Sequence, residues 1–177
     1  MKKIITLFAV VVGLFAFSSC EGPEGPPGFD GQDGYNGVGT VYENQAPDYY
    51  NFTSGNNYAV GFDFPQRLVE SDVVLVYRFD GLDNGGRYVW QALPETYYLA
   101  NGAREFSFKF VFTDDYVNIY LDGNNQANIP ARYRLNQIFR IVIVPADFPS
   151  SVNTSNYNEV MSVLKLTESQ VKKVKIE

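Results

Sequence analysis

Histidine is absent from the 177 residues. No reaction here can use imidazole as a base or a metal ligand, which removes the nucleophilic triads and most zinc sites. Cysteine occurs once, at Cys20, so no intrachain disulfide can close and no thiolate cluster can hold a metal. Basic residues are few: 14 Lys and Arg stand against 20 Asp and Glu, for a net charge of −6. An acidic body repels phosphate backbones and anionic headgroups, which argues against a nucleic-acid partner. With these groups missing, the chain reads as a non-enzyme without a cofactor.

What is present begins with a leader. Lys2 and Lys3 precede Ile4 to Phe17, a run whose single polar residue is Thr6. A basic start, an apolar stretch and small residues after it form a secretory signal over residues 1–19. The stretch is shorter than the roughly 20 apolar residues of a spanning helix. It ends in Phe17-Ser18-Ser19-Cys20, which resembles the bacterial lipobox. That pattern implies a diacylglycerol on the Cys20 sulfur, cleavage before Cys20, and a further acyl chain such as palmitate on its amine. Two or more chains give a stable membrane anchor where one does not.

Residues 20–37 form the second segment. Glycine falls at every third position from Gly22 through Gly25, Gly28, Gly31 and Gly34 to Gly37, the collagen repeat. Its prolines are confined to Pro23, Pro26 and Pro27, too few to hold a triple helix alone. The adopted reading is an extended spacer of up to roughly 45 Å, with a monomeric protein. A trimerising stalk is the alternative.

From Val38 to Glu177 apolar runs alternate with Gly, Asn, Asp and Pro, and 45% hydrophobic and 16% aromatic content can fill one core. Strands are expected at Val38 to Glu43, Tyr58 to Phe64, Asp72 to Phe79, Tyr88 to Leu93, Tyr97 to Ala100, Glu105 to Thr113, Tyr116 to Leu121 and Ile138 to Pro145. Phe106, Phe108, Phe110 and Phe112 share one face of a strand, and Asp114-Asp115 turns it into a hairpin with Val117, Ile119 and Leu121. Val73 to Tyr77 and Ile141 to Val144 lack alternation, as central strands buried on both faces do. Asn156 to Leu166 predicts a short amphipathic helix. Thr167 and Gln170 have capping-box spacing, and Val171 to Ile176 is an edge strand or a frayed tail. The expected fold is mainly β: an antiparallel β-sandwich, Ig-like or jelly-roll-like, with one short C-terminal helix.

Four stretches carry a resemblance: Cys20 to Gly28, Asp72 to Tyr77, Ile119 to Gly123, and Phe139 to Phe148. Together they resemble the short collagen-like lipoproteins of Bacteroidota. The resemblance implies an envelope lipoprotein of the outer membrane, with Glu21 and Glu24 after the cysteine as a hint of surface display. It implies no activity and no catalytic residues. Whether the body faces the periplasm or the outside stays open.

The remaining candidates concern the body. Asp80 and Asp83 in one glycine-rich loop, and Asp122 in another, are calcium candidates, although Asp-Gly and Asn-Gly are ordinary turn chemistry. Asp114 and Asp115 could form a hydrolytic carboxylate pair, but neighbours at a hairpin tip point apart, and ordinary acidity is expected. Trp90, Tyr97 and Tyr98 are the candidate ligand patch, for sugar stacking, with core packing as the plainer role of Trp90. Tyr133 is a candidate structural corner. Arg140, alone in an apolar strand, should face solvent or pair with an acid on a neighbouring strand. The expected function is a lipid-anchored envelope protein with a structural or binding domain whose partner is a glycan or an envelope protein. A carbohydrate-binding or calcium-dependent adhesion module is the alternative.

Overall fold

The computed structural model describes residues 39–175. The leader, Cys20 and the glycine repeat lie outside the described residues. Among the described residues, nine strands are formed: β1 Thr40–Asn44, β2 Ala59–Asp63, β3 Val73–Leu82, β4 Tyr88–Ala92, β5 Glu95–Tyr98, β6 Arg104–Phe112, β7 Tyr116–Gly123, β8 Phe139–Val144 and β9 Lys172–Val174. Helix α1 covers Ala131–Arg134 and α2 covers Tyr157–Val163. All eight strands read from the sequence are present, with starts at Tyr88 and Tyr116 unchanged and the other described ends moved by one to three residues. The added pieces are α1 and two short 3-10 turns, Ser54–Asn56 and Gln126–Asn128; a third turn, Glu168–Gln170, follows the Thr167 cap as its spacing predicts.

Two sheets result. Sheet I has the order β4-β3-β8-β1-β9 and sheet II the order β2-β7-β6-β5. Every pairing is antiparallel except β1 with β9, where Glu43 sits opposite Lys173. The Glu105-to-Leu121 stretch is the expected hairpin, with Phe112 opposite Val117 and the Thr113 N–H donating to the Tyr116 carbonyl at 2.9 Å.

Strand β8 explains its own sequence. All six of its residues are buried. Phe139, Ile141 and Ile143 enter a core that also contains Phe106, Phe108, Val117, Ile119 and Leu121 of sheet II. Val142 and Val144 face the other way, into a cluster with Tyr157, Val160 and Met161 of α2. A strand covered on both faces has no polar face to alternate, which is why Ile141 to Val144 run apolar without a break. The phenylalanine stripe of β6 behaves differently along its length. Phe106 and Phe108 are fully buried, Phe110 packs at the margin of the core, and Phe112 is exposed.

Helix α2 is seven residues long and starts at the Asn156 cap, whose Oδ1 accepts from the Glu159 N–H. Tyr157, Val160 and Met161 are its buried side, the spacing of an amphipathic helix. After it, the Thr167 N–H donates to Gln170 Oε1 at 2.9 Å, completing the expected capping box. The chain then runs into β9 at the edge of sheet I.

Candidate functional site

Two arginines are the largest charges taken out of water. Arg140 on β8 is 2% exposed. Its Nε donates to Glu43 Oε2 at 2.6 Å, and Nη1 and Nη2 donate to Glu168 Oε1 and Oε2 at 2.8 and 2.5 Å. Glu43 lies directly opposite on β1 and is also held by Lys173 of β9. The guanidinium carbon rests 4.0 Å from the Trp90 ring centroid and 4.7 Å from that of Tyr157. Burial alone would lower the Arg140 pKa, but hydrogen bonds from Glu168 and Glu43 outweigh it and hold the charge. The expected pairing with an acid on a neighbouring strand is therefore found, and it clamps β8, β1 and the C-terminal segment together.

Arg78 on β3 is 3% exposed and ties the two sheets. Its Nε and Nη2 donate to Glu95 at 2.8 and 3.1 Å, and Nη2 also reaches Asp80 at 2.5 Å and the Tyr97 hydroxyl at 2.8 Å. The guanidinium lies over the Phe108 ring at 5.2 Å. The sequence carried a signal for it, a lone charge inside the apolar Val73-to-Phe79 run, of the same kind that marked Arg140.

The acidic candidates are each closed on a cation. Asp80 meets Arg78; Asp83 meets Arg87 at 2.7 Å; Asp122 meets Arg104 at 3.0 Å and also Lys109. The Lys109 hydrogen bond lowers the Asp122 pKa, and the backbone N–H of Arg87 lowers that of Asp83. Among the described residues, no three acidic side chains gather as a metal site requires. Asp114 departs from the ordinary acidity expected of it. The hydrogen bond from Arg67, at 2.6 Å, holds its carboxyl below the usual range, the opposite of what a general acid needs.

Trp90, Tyr97 and Tyr98 do not form a patch. The chain crosses from sheet I to sheet II between β4 and β5, at Leu93-Pro94, so Trp90 belongs to one sheet and the two tyrosines to the other. Tyr97 stacks on Phe106 with centroids 4.5 Å apart, and its hydroxyl donates to Glu95 at 2.6 Å. Tyr98 points outward, 65% exposed. Tyr133, on α1, packs at a tilt 4.6 Å from Tyr97 and 5.1 Å from Phe106, and its hydroxyl accepts from the adjacent Arg132 at 3.1 Å in place of the expected corner to a neighbouring loop.

Trp90 instead takes part in an aromatic row on the outer side of sheet I. Successive centroids lie 5.5 Å (Tyr88 to Phe79), 5.4 Å (Phe79 to Trp90), 5.6 Å (Trp90 to Tyr157) and 5.2 Å (Tyr157 to Tyr77) apart. Beside the row runs an open groove of about 420 Å³. The β3–β4 turn forms one wall with Asp83 and Arg87, β4 supplies Tyr88 and Trp90, and Ser155 and Asn158 stand on the other side. Gly86 shapes the turn with a φ of +76°, where a side chain would be strained, while its N–H donates to the Asp83 carbonyl. The facing loop is fastened by the Tyr77 hydroxyl, which donates to the Thr154 carbonyl at 2.6 Å.

A smaller hollow beside Arg78 is lined by Asp80, Arg132, Tyr133 and Asn136. Its one deeply buried charge is already saturated by Glu95, Asp80 and Tyr97.

No family model, no curated protein and no solved structure matches this chain.

Proposed function

We propose that this is a lipid-anchored protein of the bacterial envelope, tethered through Cys20 to the outer membrane, whose body is a non-catalytic binding or structural domain. The carrying observation is the placement of the single cysteine directly after Ser18-Ser19 at the end of the apolar run. Physical chemistry favours the reading, because a diacylated and N-acylated cysteine gives a stable anchor to a body with no membrane-crossing helix among its described residues. The resemblance to short collagen-like lipoproteins of Bacteroidota points the same way. The glycine repeat then serves as a spacer between bilayer and body, with the protein monomeric. For the body we favour a β-sandwich, since residues of both sheets enter one core.

A non-catalytic role is supported by the fate of the acidic side chains. Asp80, Asp83, Asp114 and Asp122 all hold cations, and the cation-paired Asp83, Asp114 and Asp122, with their pKa lowered, make poor proton donors. Of the two ligand classes for an adhesion module, these pairings favour a glycan over calcium. The test of the anchor is metabolic labelling: cells given tagged palmitate should mark the wild-type chain and leave Cys20→Ser dark. Equal labelling of both would refute the anchor.

A further inference from the structure

We propose that the groove beside Tyr88 and Trp90 binds a neutral oligosaccharide, stacked on the exposed rings and hydrogen-bonded by Ser155, Asn158 and Arg87. The inference rests on the binding-module reading and gives it a place and a ligand class.

Three observations carry it. The first is an aromatic surface left open to solvent at one end of a packed row. Tyr88 is 64% exposed although its neighbour Phe79 packs against it. Trp90 is half-buried, backed by the Arg140 guanidinium 4.0 Å from its ring. A ring held in this way keeps its orientation without a ligand, so little is lost in ordering it on binding. Planar rings offer an apolar face to the C–H side of a pyranose.

The second is the supply of unspent hydrogen-bonding groups around those rings. Among the described residues, the side chains of Ser155 and Asn158 make no hydrogen bond to protein, and both are exposed. Arg87 spends its Nε and Nη2 on Asp83 but keeps 84% of its side chain in solvent. A few fixed polar groups beside an apolar surface are the usual composition of a small-ligand site.

The third is charge. Among the described residues, the only ionic groups lining the groove are Asp83 and Arg87, and they neutralise one another. With a net charge of −6 on the chain, sulfated or uronic-acid polymers would be repelled and uncharged sugars would not. The openness of the trough suits a chain of sugars running across it, with both ends free.

Trp90 is the only tryptophan of the chain, so its fluorescence reports on this groove alone. The experiment uses the full-length acylated protein in a detergent without sugar headgroups. Hexasaccharides of glucose, mannose and xylose in α and β linkage are titrated beside polygalacturonate and chondroitin sulfate. At least one neutral hexasaccharide should shift the Trp90 emission with saturation, and the anionic pair should not. Tyr88→Ala and Asn158→Ala should each weaken that binding about tenfold, with Tyr98→Ala on the other sheet unchanged. Both wounding positions are exposed, and unaltered circular dichroism certifies their fold. Silence across the neutral panel, or a response only to the anionic polymers, overturns the proposal. Binding that ignores Tyr88→Ala and leaves Trp90 emission still overturns the groove but not the binding-module reading, which the anchor labelling in turn does not touch.

Discussion

Arg140 and Trp90 are joined face to charge, the guanidinium carbon 4.0 Å from the indole centroid, and the same guanidinium is paired on its far atoms with Glu43 and Glu168. One side chain thus couples the aromatic row on sheet I to the β1 strand and to the C-terminal segment. The aromatic surface of the groove and the anchoring of β9 share this support.

Breaking that support should be costly. Arg140→Ala leaves Glu43 buried with only Lys173 beside it, and should lower stability by about 3–5 kcal/mol. Glu168 is 62% exposed, against 9% for Glu43, so Glu168→Gln should cost no more than about 1 kcal/mol. Urea unfolding of the variants checks both values. Equal losses for the two would show that the buried partner is not the one that matters.

Two tyrosine hydroxyls on the same cluster should respond in opposite directions. The Tyr157 hydroxyl is buried without a hydrogen-bond partner among the described residues, so Tyr157→Phe removes an uncompensated group and should raise stability by about 1 kcal/mol. The Tyr77 hydroxyl donates to Thr154 at 2.6 Å, and Tyr77→Phe should lower it by about 1 kcal/mol. Thermal unfolding of the two variants under one buffer decides the matter; a shift of the same sign in both would be contrary.

Alkaline pH should unfold the body. Burial raises the phenol pKa of Tyr50, Tyr77, Tyr97 and Tyr157 above the ordinary 10.0. Above pH 10 the unfolded chain releases these protons while the native chain keeps them, so the unfolded state binds fewer protons and stability falls as pH rises. The stabilisation is fully present below pH 10 and is lost on the way up to the folded-state values. Tyrosinate absorbance of these four should therefore appear together with the loss of circular dichroism. Early titration of all tyrosines in a still-folded protein would contradict the burial.

The phenylalanines should divide by depth and not by sequence pattern. Phe52 is fully buried, with rings of Phe108 and Phe139 at 5.7 and 6.0 Å, and Phe52→Ala should cost about 3–5 kcal/mol. Phe112 shares the β6 stripe but is 42% exposed, and Phe112→Ala should cost about 1 kcal/mol or less. Chemical denaturation of the pair provides the comparison.

The local patterns proved readable where they have a local cause. The unbroken Ile141-to-Val144 run told of burial on both faces, and the apolar spacing of Tyr157, Val160 and Val163 told of a helix. Arg140 found its acid on β1 for the same reason: a guanidinium inside an apolar strand has to be paired. The parallel pairing of β9 with β1 was not legible, because it joins residues about 130 positions apart and three residues of strand carry little pattern. Helix α1 has four residues and no periodicity to reveal it. The Trp90, Tyr97 and Tyr98 grouping failed on a similar ground. Nearness in sequence ends where the chain passes from one sheet to the other at Leu93-Pro94, and the rings that Trp90 meets come from Phe79 and Tyr157.

Mass spectrometry of the mature N-terminal peptide from native membranes bears most directly on the anchor. The peptide should begin at Cys20, with a diacylglycerol thioether on the sulfur and a third acyl chain on the amine. A free thiol at Cys20, or a mature chain that begins at any other residue, would contradict the tether and the envelope address built on it.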